Sequence, residues 1–439
     1  MQIKKTLVFL VMLMLALPAI QKQFNPVSSK PLSGVFSSTP EPSLACSTWM
    51  KGSFQEQYGR YLDDFHGFKP DFVRIYNQVD FSLFSMAHAE RIIIGKKQEL
   101  FASEYIIGYL GQNFPGYHFI DEKVRMLKFV QDYLWKNKRI LVMVLIPPDK
   151  GSLYPELIPD RYLEQQSHET GRNYFSKLAR EKGLNVLDFN PWFAAIKDTC
   201  RHRLIPTTGV HWSNYGSFLA ADSATRYFEE KTGLKFPRLV LDSLEISTQP
   251  RNKDDDINQT MNLIWDAPHE PLAYPCFHVT FDSSRFKPAA LFVADSFIWG
   301  WWDQPIIQNL FRNQEIWYYD QEIYPESFTR MKYTRDINLQ EAIERQDIVV
   351  LFQVGAGSGN PGAGVIDRLY ALYDTSGNNL IRKIEQKIFS DSAWLAQEKV
   401  KAEQNKVPLT DIVRRDAIYL FNAELQKNKA KFHHPGSSR

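Results

Sequence analysis

Short apolar runs alternate with amphipathic segments along most of the chain. Residues 140–146 (ILVMVLI) and 348–352 (IVVLF) are apolar at every position, which is typical of strands buried on both faces. The segments between such runs carry apolar residues three or four positions apart, as helices with one buried face do. Strands that alternate with helices predict an α/β fold with a parallel sheet flanked by helices on both faces. The predicted strands are 91–95, 140–146, 185–189, 289–293, 316–319 and 348–352, and the predicted helices are 54–88 with a break near Gly67 and Pro70, 122–135, 172–182, 215–231, 304–312 and 339–345.

The N-terminal segment differs from the rest of the chain. Lys4 and Lys5 precede an apolar run, which predicts an export signal over residues 1–20, either a cleaved signal peptide or a retained membrane anchor. Residues 21–45 are rich in Pro, Ser and Gly and predict a linker. The bulk of the protein is therefore expected beyond a membrane. It comprises a folded domain over residues 46–390, of which 46–118 are a helical lead-in, and a helical, basic tail over 391–439.

Composition narrows the class of protein. A formal net charge of +2 over 439 residues is too small for a dedicated nucleic-acid-binding surface. Aromatic residues make up 14% of the chain, which suits both a packed core and the recognition of sugars. The three cysteines, Cys46, Cys200 and Cys276, leave open a Cys200–Cys276 disulfide or three free thiols. Neither the cysteines nor the histidines form a cluster with metal-ligand spacing, so no metal site is predicted.

One candidate for chemistry is the serine of the segment Ala294-Asp295-Ser296-Phe297, which directly follows the predicted strand 289–293. A serine in a turn after a parallel strand lies at the carboxyl edge of the sheet, where open α/β sheets place their sites. The turn can also offer backbone N–H groups to a developing oxyanion. Ser296 is therefore a candidate nucleophile.

A second candidate is His211, in the segment Gly209-Val210-His211-Trp212 that leads into the predicted helix 215–231. Taken alone, this histidine is better explained as a hydrogen-bonded structural residue. A serine hydroxyl is a poor nucleophile unless a base accepts its proton, and imidazole has a suitable pKa at neutral pH. Ser296 and His211 on one sheet edge would therefore form a nucleophile and its base.

Four short segments resemble the motifs of a known family. They are IIIGKKQELF at 92–101, IPPDKGSLYPELIP at 146–159, GVHW at 209–212 and ADSF at 294–297. Together they are similar to the SGNH (GDSL-like) superfamily and, within it, to the AlgX/AlgJ-like O-acetyltransferases of exported polysaccharides. In that branch a D-x-H-W motif precedes a G-D-S-F motif, and the order is the same here.

The resemblance implies an SGNH-hydrolase-like sheet with helical N- and C-terminal extensions, and transfer of acetyl groups to a polysaccharide in the periplasm or at the cell surface. Ser296 matches the family's nucleophile, His211 its base, and Asp295 the acidic neighbour of the serine. No diffusible cofactor is implied. The acetyl donor would be supplied by a membrane-bound O-acyltransferase partner.

The chain departs from the family pattern at two positions. Ala294 replaces the Gly before Asp-Ser, which is a mild change. Gly209 replaces the Asp that orients the histidine, and loss of the equivalent group in a serine protease lowers the rate by ~10⁴. Asp188, at the end of the predicted strand 185–189, is a candidate substitute, and a backbone carbonyl is another. We expect a Gly209→Asp substitution to be tolerated or to raise activity.

The oxyanion hole and the substrate groove are less defined by sequence. The Ser296 N–H is one candidate donor, and Gly355 and Asn360, in the Gly-rich segment 352–362, are others. The same segment is also explained as a flexible turn, and it lacks the pattern of a phosphate-binding loop. Tryptophans near the two motifs are candidates for lining a substrate groove, and packing explains them equally well: Trp212, Trp299, Trp301 and Trp302.

Two other functions remain open at this stage. A carbohydrate acetyl esterase would use the same serine and histidine, with water in place of a sugar hydroxyl. A catalytically inactive polysaccharide-binding or assembly protein would account for the glycine at position 209.

Overall fold

The computed structural model describes residues 2–34, 39–164, 168–282, 284–355, 359–405 and 407–432. The strands are β1 (Ile92–Ile94), β2 (Leu100–Ala102), β3 (Leu141–Ile146), β4 (Val186–Asp188), β5 (Arg238–Ser247), β6 (Leu272–Thr280), β7 (Ala290–Ala294), β8 (Glu315–Tyr318), β9 (Glu322–Tyr324) and β10 (Ile348–Phe352).

The helices flank these strands and also form both ends of the described chain. They are α1 (Gln2–Phe24), α2 (Cys46–Met50), α3 (Ser53–Phe65), α4 (Lys69–Phe84), α5 (Ser103–Tyr109), α6 (Tyr117–Lys138), α7 (Lys150–Leu153), α8 (Asp160–Leu163), α9 (Gly171–Glu181), α10 (Asn190–Ile196), α11 (Asn214–Thr232), α12 (Asp256–Met261), α13 (Trp299–Asp303), α14 (Ile306–Leu310), α15 (Leu339–Glu344), α16 (Val365–Tyr373), α17 (Thr375–Ser390), α18 (Ser392–Asn405) and α19 (Leu409–Phe432).

A six-stranded sheet in the order β4-β3-β10-β7-β8-β9 forms the centre of the fold. Its first five strands run parallel, and β9 joins the edge antiparallel to β8. The central strands are buried on both faces: alternate residues of β3 contribute to two separate hydrophobic cores. Helices α11, α13 and α14 cover one face and α6, α9 and α16 the other. The predicted α/β fold is confirmed.

Register brings the carboxyl ends of the middle strands to one level. Ala294 at the end of β7 pairs with Phe352 at the end of β10 and with Tyr318 at the end of β8. Segments that follow these strands therefore emerge side by side at one edge of the sheet. This edge holds the candidate site.

Several elements differ from the sequence-based expectations. The antiparallel pair β5 and β6 was not predicted, because most of β5 is exposed and its sequence lacks a regular apolar alternation. The edge strand β9 was not predicted either, since it is only three residues long. The helix expected over 304–312 is confined to Ile306–Leu310, after Pro305.

The N-terminal segment is helical and then extended. Among the described residues, α1 is the helix long and apolar enough to cross a membrane, and its apolar part is not buried in the protein. After α1 the chain lies against α4, where Arg74 donates hydrogen bonds of 2.7 Å to the carbonyls of Lys30 and Pro31. Residues 35–38 of the predicted linker lie outside the described residues.

The C-terminal helices pack on the domain rather than extending away from it. Ile388 of α17 and Val413 and Ile418 of α19 are buried in the core on the α6 side of the sheet. Residues 433–439 of the predicted tail lie outside the described residues. Cys46, Cys200 and Cys276 are free thiols, so the Cys200–Cys276 disulfide is not formed.

Candidate active site

Ser296 lies two residues beyond the last residue of β7, at the first position of a short 3-10 turn, Ser296–Ile298. The preceding Asp295 is extended and caps this turn, since its carboxylate accepts the Phe297 N–H at 3.0 Å. The serine therefore lies at the carboxyl edge of the sheet, as its place after an apolar strand predicted.

Asp295 holds the serine turn to the neighbouring strand. Its second carboxylate oxygen accepts the Val354 N–H, just beyond β10, at 2.6 Å. Burial raises the pKa of this carboxyl to about 6, because water no longer solvates the charge. Among the described residues, no hydrogen bond joins the Asp295 carboxylate to Ser296 or His211. Asp295 is thus placed to position the nucleophile through the backbone.

The imidazole of His211 lies next to the hydroxyl of Ser296. The Nε2 atom of His211 lies 2.8 Å from Ser296 Oγ, within hydrogen-bonding range. The imidazole is buried and packs on the Phe297 ring, 4.8 Å between centroids. The adjacent Trp212 donates its indole N–H to the Phe297 carbonyl at 3.1 Å. Two hydrogen bonds and one ring contact therefore join the histidine loop to the serine turn.

A third residue, Asp256, completes the hydrogen-bonded chain. Its Oδ2 lies 2.5 Å from Nδ1 of His211, and its Oδ1 accepts the Val210 N–H at 2.8 Å. One carboxylate thus holds both the ring and the backbone beside it, an arrangement that leaves Nε2 free to accept the serine proton. Sequence reasoning missed Asp256, and its only signal was the acidic run at 254–256 (DDD).

The segment around Asp256 is bonded closely to the histidine loop. The Asn258 N–H donates to the Thr208 carbonyl at 3.2 Å. A Cβ at Gly209 would lie 2.7 Å from the Asp254 carbonyl oxygen and 3.1 Å from that of Lys253. Real Cβ atoms are not found this close to backbone oxygens, so the expectation that Gly209→Asp would be tolerated is wrong. The glycine is required by the approach of the segment that carries Asp256.

Asp188 does not orient His211, contrary to the sequence-based expectation. It lies at the end of β4, at the far side of the sheet order from β7. Its carboxylate accepts the Ser176 hydroxyl at 2.9 Å and the Asn190 side-chain amide at 2.8 Å, and lies 3.5 Å from Arg172. Asp188 therefore serves the local structure around α9 and α10.

The structure does not bring Gly355 and Asn360, two of the predicted oxyanion donors, to Ser296 within the described part of the chain. The Gly355 N–H already donates to the Pro147 carbonyl at 3.1 Å, so this amide is engaged elsewhere. Residues 356–358 of the same segment lie outside the described residues, and no hydrogen bond from Asn360 to Ser296 is found within the described part of the chain. The Ser296 N–H remains a candidate oxyanion donor, because it lies in the serine turn itself.

Tyr319 lies beside Ser296 and was not predicted. It follows β8, and its N–H donates to the Ala294 carbonyl at 2.8 Å, which sets it against the end of β7. Burial raises the pKa of the Tyr319 phenol, while hydrogen bonds from the side chain and the backbone of Ser296 lower it. Its φ of 50° is in the left-handed region, which is costly for a residue with a side chain and is often found at functional sites.

The four candidate tryptophans divide into two pairs. Trp212 and Trp301 are 2% and 1% exposed and stack on each other at 5.9 Å, so they belong to the core and not to a substrate groove. Trp299 and Trp302 are half-buried and contact Phe328, whose side chain is exposed. Trp299 and Trp302 lie on α13, just after the serine turn, and together with Phe328 of the 326–328 turn they form an accessible aromatic cluster.

A buried ionic cluster supports the loop that precedes His211. The Lys150 ammonium, fully buried, donates to the carbonyls of Pro206 and Thr207 at 2.5 and 3.1 Å. It lies 3.1 Å from Glu99, which also accepts from Arg203 at 2.6 Å. Burial lowers the pKa of Lys150, because the charged form loses its water. These contacts fix the loop backbone four and five residues ahead of the histidine.

Part of the chain is similar to a known protein family and to solved structures. Residues 92–287 match the family model of the SGNH hydrolase-like domain of acetyltransferase AlgX. This segment contains His211 and Asp256 and ends shortly before Ser296. No curated protein sequence is a significant match to the chain.

Among solved structures, the O-acetyltransferase domain of Pseudomonas putida AlgJ is 15% identical, with a TM-score of 0.41, over 64% of this chain and 98% of that one. Pseudomonas aeruginosa AlgX is 14% identical, with a TM-score of 0.40, over 63% and 67%. Bacillus cereus PatB1 is 12% identical, with a TM-score of 0.33, over 56% and 91%. The resemblance predicted from the sequence motifs is confirmed over residues 92–287, which match the family model of the SGNH hydrolase-like domain of acetyltransferase AlgX.

Proposed function

We propose that this protein is an extracytoplasmic O-acetyltransferase that modifies a polysaccharide through an acetyl-serine intermediate. The observation that carries the proposal is the continuous chain of contacts from Asp256 to His211 and from His211 to Ser296, at 2.5 and 2.8 Å. A carboxylate, an imidazole and a hydroxyl in this order are the groups that activate a serine nucleophile.

In the first half-reaction the Ser296 hydroxyl attacks the carbonyl carbon of an acetyl ester. His211 Nε2 takes the hydroxyl proton as the Oγ–carbon bond forms, and Asp256 stabilises the imidazolium through Nδ1–H. The tetrahedral intermediate then collapses: the bond to the donor's alkoxide oxygen breaks, and His211 returns the proton to that oxygen. The products are the free donor alcohol and acetyl-Ser296.

The second half-reaction repeats these steps with a sugar hydroxyl in place of the serine. His211 removes the proton of the sugar hydroxyl, and the sugar oxygen attacks the acetyl carbon. Ser296 Oγ leaves and regains its proton from the imidazolium. The sum is transfer of one acetyl group from the donor to the sugar, with no net change in protons and no need for a cofactor.

The oxyanion formed in both halves needs donors at the site. We assign this role to the Ser296 N–H and the Tyr319 phenol: the Ser296 N–H faces the phenol oxygen, and an oxyanion would replace that oxygen as acceptor while the phenol O–H donates to it. Each preorganised donor of this kind is worth about 10²–10³ in rate. The half-buried rings of Trp299 and Trp302, on the helix just after the serine, are suited to stack on the acceptor sugar.

The N-terminal helix supports the cellular setting that we propose. An apolar α1 is consistent with export and, if retained, with tethering to the membrane. The acetyl donor for such a site would come from a membrane-bound O-acyltransferase partner, and the acceptor would be a polysaccharide outside the cytoplasm.

The test uses the purified full chain, an activated acetyl ester and a bare oligosaccharide. Mass spectrometry of the intact protein should detect an added acetyl group, and peptide mapping should locate it on Ser296. Ser296→Ala should abolish both the adduct and the acetylated sugar, whereas Ser390→Ala, which alters an exposed serine on α17, should change neither.

Three outcomes distinguish the candidate functions. Acetylated oligosaccharide supports the transferase. Acetate release with no acetylated sugar, with several oligosaccharides offered, supports the esterase. The absence of any adduct on Ser296, together with oligosaccharide binding, supports an inactive binding protein and contradicts the proposal.

A further inference from the structure

Helix α4 has the reverse of the usual distribution of polar and apolar side chains. Its buried side chains are mostly polar: Arg74, Asn77 and Gln78 are each less than a tenth exposed. Its apolar side chains point to the solvent instead, with exposed fractions from 43% to 72%, and they recur three or four residues apart along the helix: Phe72, Ile75, Tyr76, Val79 and Leu83. A helix on a water-facing surface has the opposite arrangement.

The orientation of α4 is set by specific hydrogen bonds from its polar face. Arg74 bonds to the carbonyls of Lys30 and Pro31, as described above. Asn77 donates to the Met261 carbonyl at 2.8 Å, and the Gln78 side-chain oxygen accepts the Trp265 N–H at 3.0 Å. Rotating the helix to bury its apolar stripe would break all of these contacts, so the outward direction of that stripe is fixed.

The preceding helix presents a similar stripe. Tyr58, Leu62 and Phe65 of α3 are 38–41% exposed and recur at intervals of four and three residues. The opposite side of α3 is charged, where Glu56 and Arg60 form an exposed ion pair at 2.5 Å. Phe72, at the start of the α4 stripe, stacks on His66, the residue after Phe65, with 6.2 Å between the ring centroids. The exposed side chains of the two stripes are here called the apolar face: Tyr58, Leu62, Phe65, Phe72, Ile75, Tyr76, Val79 and Leu83.

Helix α1 reaches the protein between α3 and α4. A Cβ at Gly67 would lie 2.7 Å from the Gln21 Cβ, so α1 packs directly on the turn between α3 and α4. The Lys22 ammonium lies 4.5 Å from the centre of the Tyr61 ring. The end of the candidate membrane helix therefore lies at the turn that joins α3 and α4, the two helices that carry the apolar face.

Acidic side chains next to the apolar face are paired. Asp64 accepts from Lys69 at 3.0 Å, Asp71 accepts the Ser29 hydroxyl at 2.5 Å, and Asp80 lies 2.5 Å from His88. Pairing reduces the cost of placing these carboxylates near an apolar phase.

We propose that the apolar face lies in the interfacial region of the same bilayer that α1 crosses. Lipid is the favoured occupant, because exposed stripes of Tyr, Phe, Leu, Ile and Val suit the boundary between headgroups and acyl chains, and a helix long and apolar enough to cross a membrane ends at the turn between them. The polar side of α4 contacts the last residue of α12 through Asn77, and α12 begins with Asp256. The bilayer contact is thus one helix away from the candidate active site.

The consequence is a defined placement of the site near the membrane surface. Docking through α4 would hold the Ser296 edge at a fixed height above the lipid, where a donor embedded in the membrane could present its acetyl ester. This inference concerns the surface alone and stands apart from the acyl-transfer proposal, since docking can be measured with Ser296→Ala protein.

The test is depth-dependent quenching on the full chain in vesicles of phosphatidylethanolamine and phosphatidylglycerol. In a background with Cys46, Cys200 and Cys276 replaced by Ser, a fluorophore is attached after Leu62→Cys or Val79→Cys. The matched control is Arg60→Cys, two residues from Leu62 and about 200° round the same helix. Nitroxide-labelled lipids should quench the probes at 62 and 79, and aqueous iodide should quench the probe at 60.

A second variant makes the result independent of any one label. Phe72→Ser, Val79→Ser and Leu83→Ser together should leave the fold intact, since these side chains are exposed, and should expose the probe at 62 to iodide. Iodide quenching of both stripe probes in the unsubstituted face would overturn the proposal, as would failure of the protein to float with the vesicles. Shielding of these probes from iodide and lipid quenchers alike would also overturn it, in favour of a protein partner or a second copy.

Discussion

A Cβ at Gly209 would stand 2.7 Å from the carbonyl oxygen of Asp254. The position that holds an Asp in the resembling family is therefore closed to any side chain here. The segment that closes it continues into Asp256, whose carboxylate lies at Nδ1 of His211. The acidic support of the imidazole comes from a different place in the chain, 45 residues after the histidine.

Asp256→Asn should lower kcat for acetyl transfer by about 10⁴, because an amide at this position favours the wrong imidazole tautomer and cannot stabilise the imidazolium. Steady-state kinetics with an activated acetyl ester would measure the loss. KM should change little, since Asp256 does not face the substrate in the proposed mechanism.

Asp188→Asn is the matched control for this prediction. Asp188 bonds to Ser176 and Asn190 and has no contact with His211, so its amide variant should keep kcat within a few fold of the parent. A large loss in Asp188→Asn with little loss in Asp256→Asn would show that the acid has been assigned to the wrong residue.

Gly209→Ala should lower both activity and stability. The added methyl group meets backbone oxygens rather than flexible side chains, so the 253–256 segment must shift away, and overpacking of this kind costs about 1–3 kcal/mol. The shift also draws Asp256 from the imidazole. Thermal unfolding and kcat measured on the same preparation would report the two effects.

Gly59→Ala provides the comparison for that substitution. Gly59 lies within α3, and a Cβ there would meet nothing within 4 Å. Because alanine favours a helix over glycine by about 1 kcal/mol, this variant should be as stable as the parent or more so, with unchanged activity. If Gly209→Ala and Gly59→Ala have the same activity and stability, the close approach of the Asp254 carbonyl to Gly209 does not require a glycine there.

The sequence was sufficient for those features that depend on local pattern. Fully apolar runs correctly located β3, β7 and β10, because strands buried on both faces leave no polar positions. A serine after such a strand must lie at the carboxyl edge of the sheet. The proximity of Ser296 and His211 was therefore a reasonable expectation from two short motifs.

The remaining features depend on contacts between distant segments. Asp256 is one of three consecutive aspartates, and the choice among them is made by the packing of Asp254 on Gly209 rather than by any local signal. Asp188 was favoured because it ends a strand. In the sheet order, however, β4 is an outer strand, three positions away from the strand β7 that leads to Ser296. Tyr319 follows a strand that looked unremarkable in sequence, and only the pairing of β8 with β7 brings it to the serine.

Tyr319→Phe should lower kcat by about 10²-fold, since removal of one oxyanion donor typically has this effect or a larger one. The ring itself is retained, so stability should be nearly unchanged. Stopped-flow measurement of acetyl-enzyme formation would isolate the step. Tyr324→Phe is the control, because the Tyr324 phenol donates to Glu322 and its ring packs against Trp299. Full activity of the Tyr319→Phe variant would exclude the phenol from the oxyanion hole.

Trp302→Ala should reduce transfer to the oligosaccharide while leaving acetyl-enzyme formation intact. The Trp302 ring is half-buried, lies 5.5 Å from the exposed Phe328 ring and has no contact with the reacting groups. Loss of one stacking ring should raise KM for the sugar with little effect on the burst of alcohol released from the activated ester. Equal effects on both half-reactions would instead indicate a structural role for this tryptophan.

Asp254→Asn should change how stability depends on pH. Burial raises the pKa of the Asp254 carboxyl from 3.8 to about 7, and the nearby Asp256 acts in the same direction. Between pH 4 and pH 7 the unfolded chain therefore loses this proton before the folded protein does, so increasing pH favours unfolding in this window. The penalty reaches up to about 4 kcal/mol above pH 7. An asparagine has no such proton and can still accept the hydrogen bond from Asn214. Denaturant unfolding should thus show Asp254→Asn gaining stability relative to the parent as the pH increases from 5 to 8, and a constant difference across that range would contradict the raised pKa.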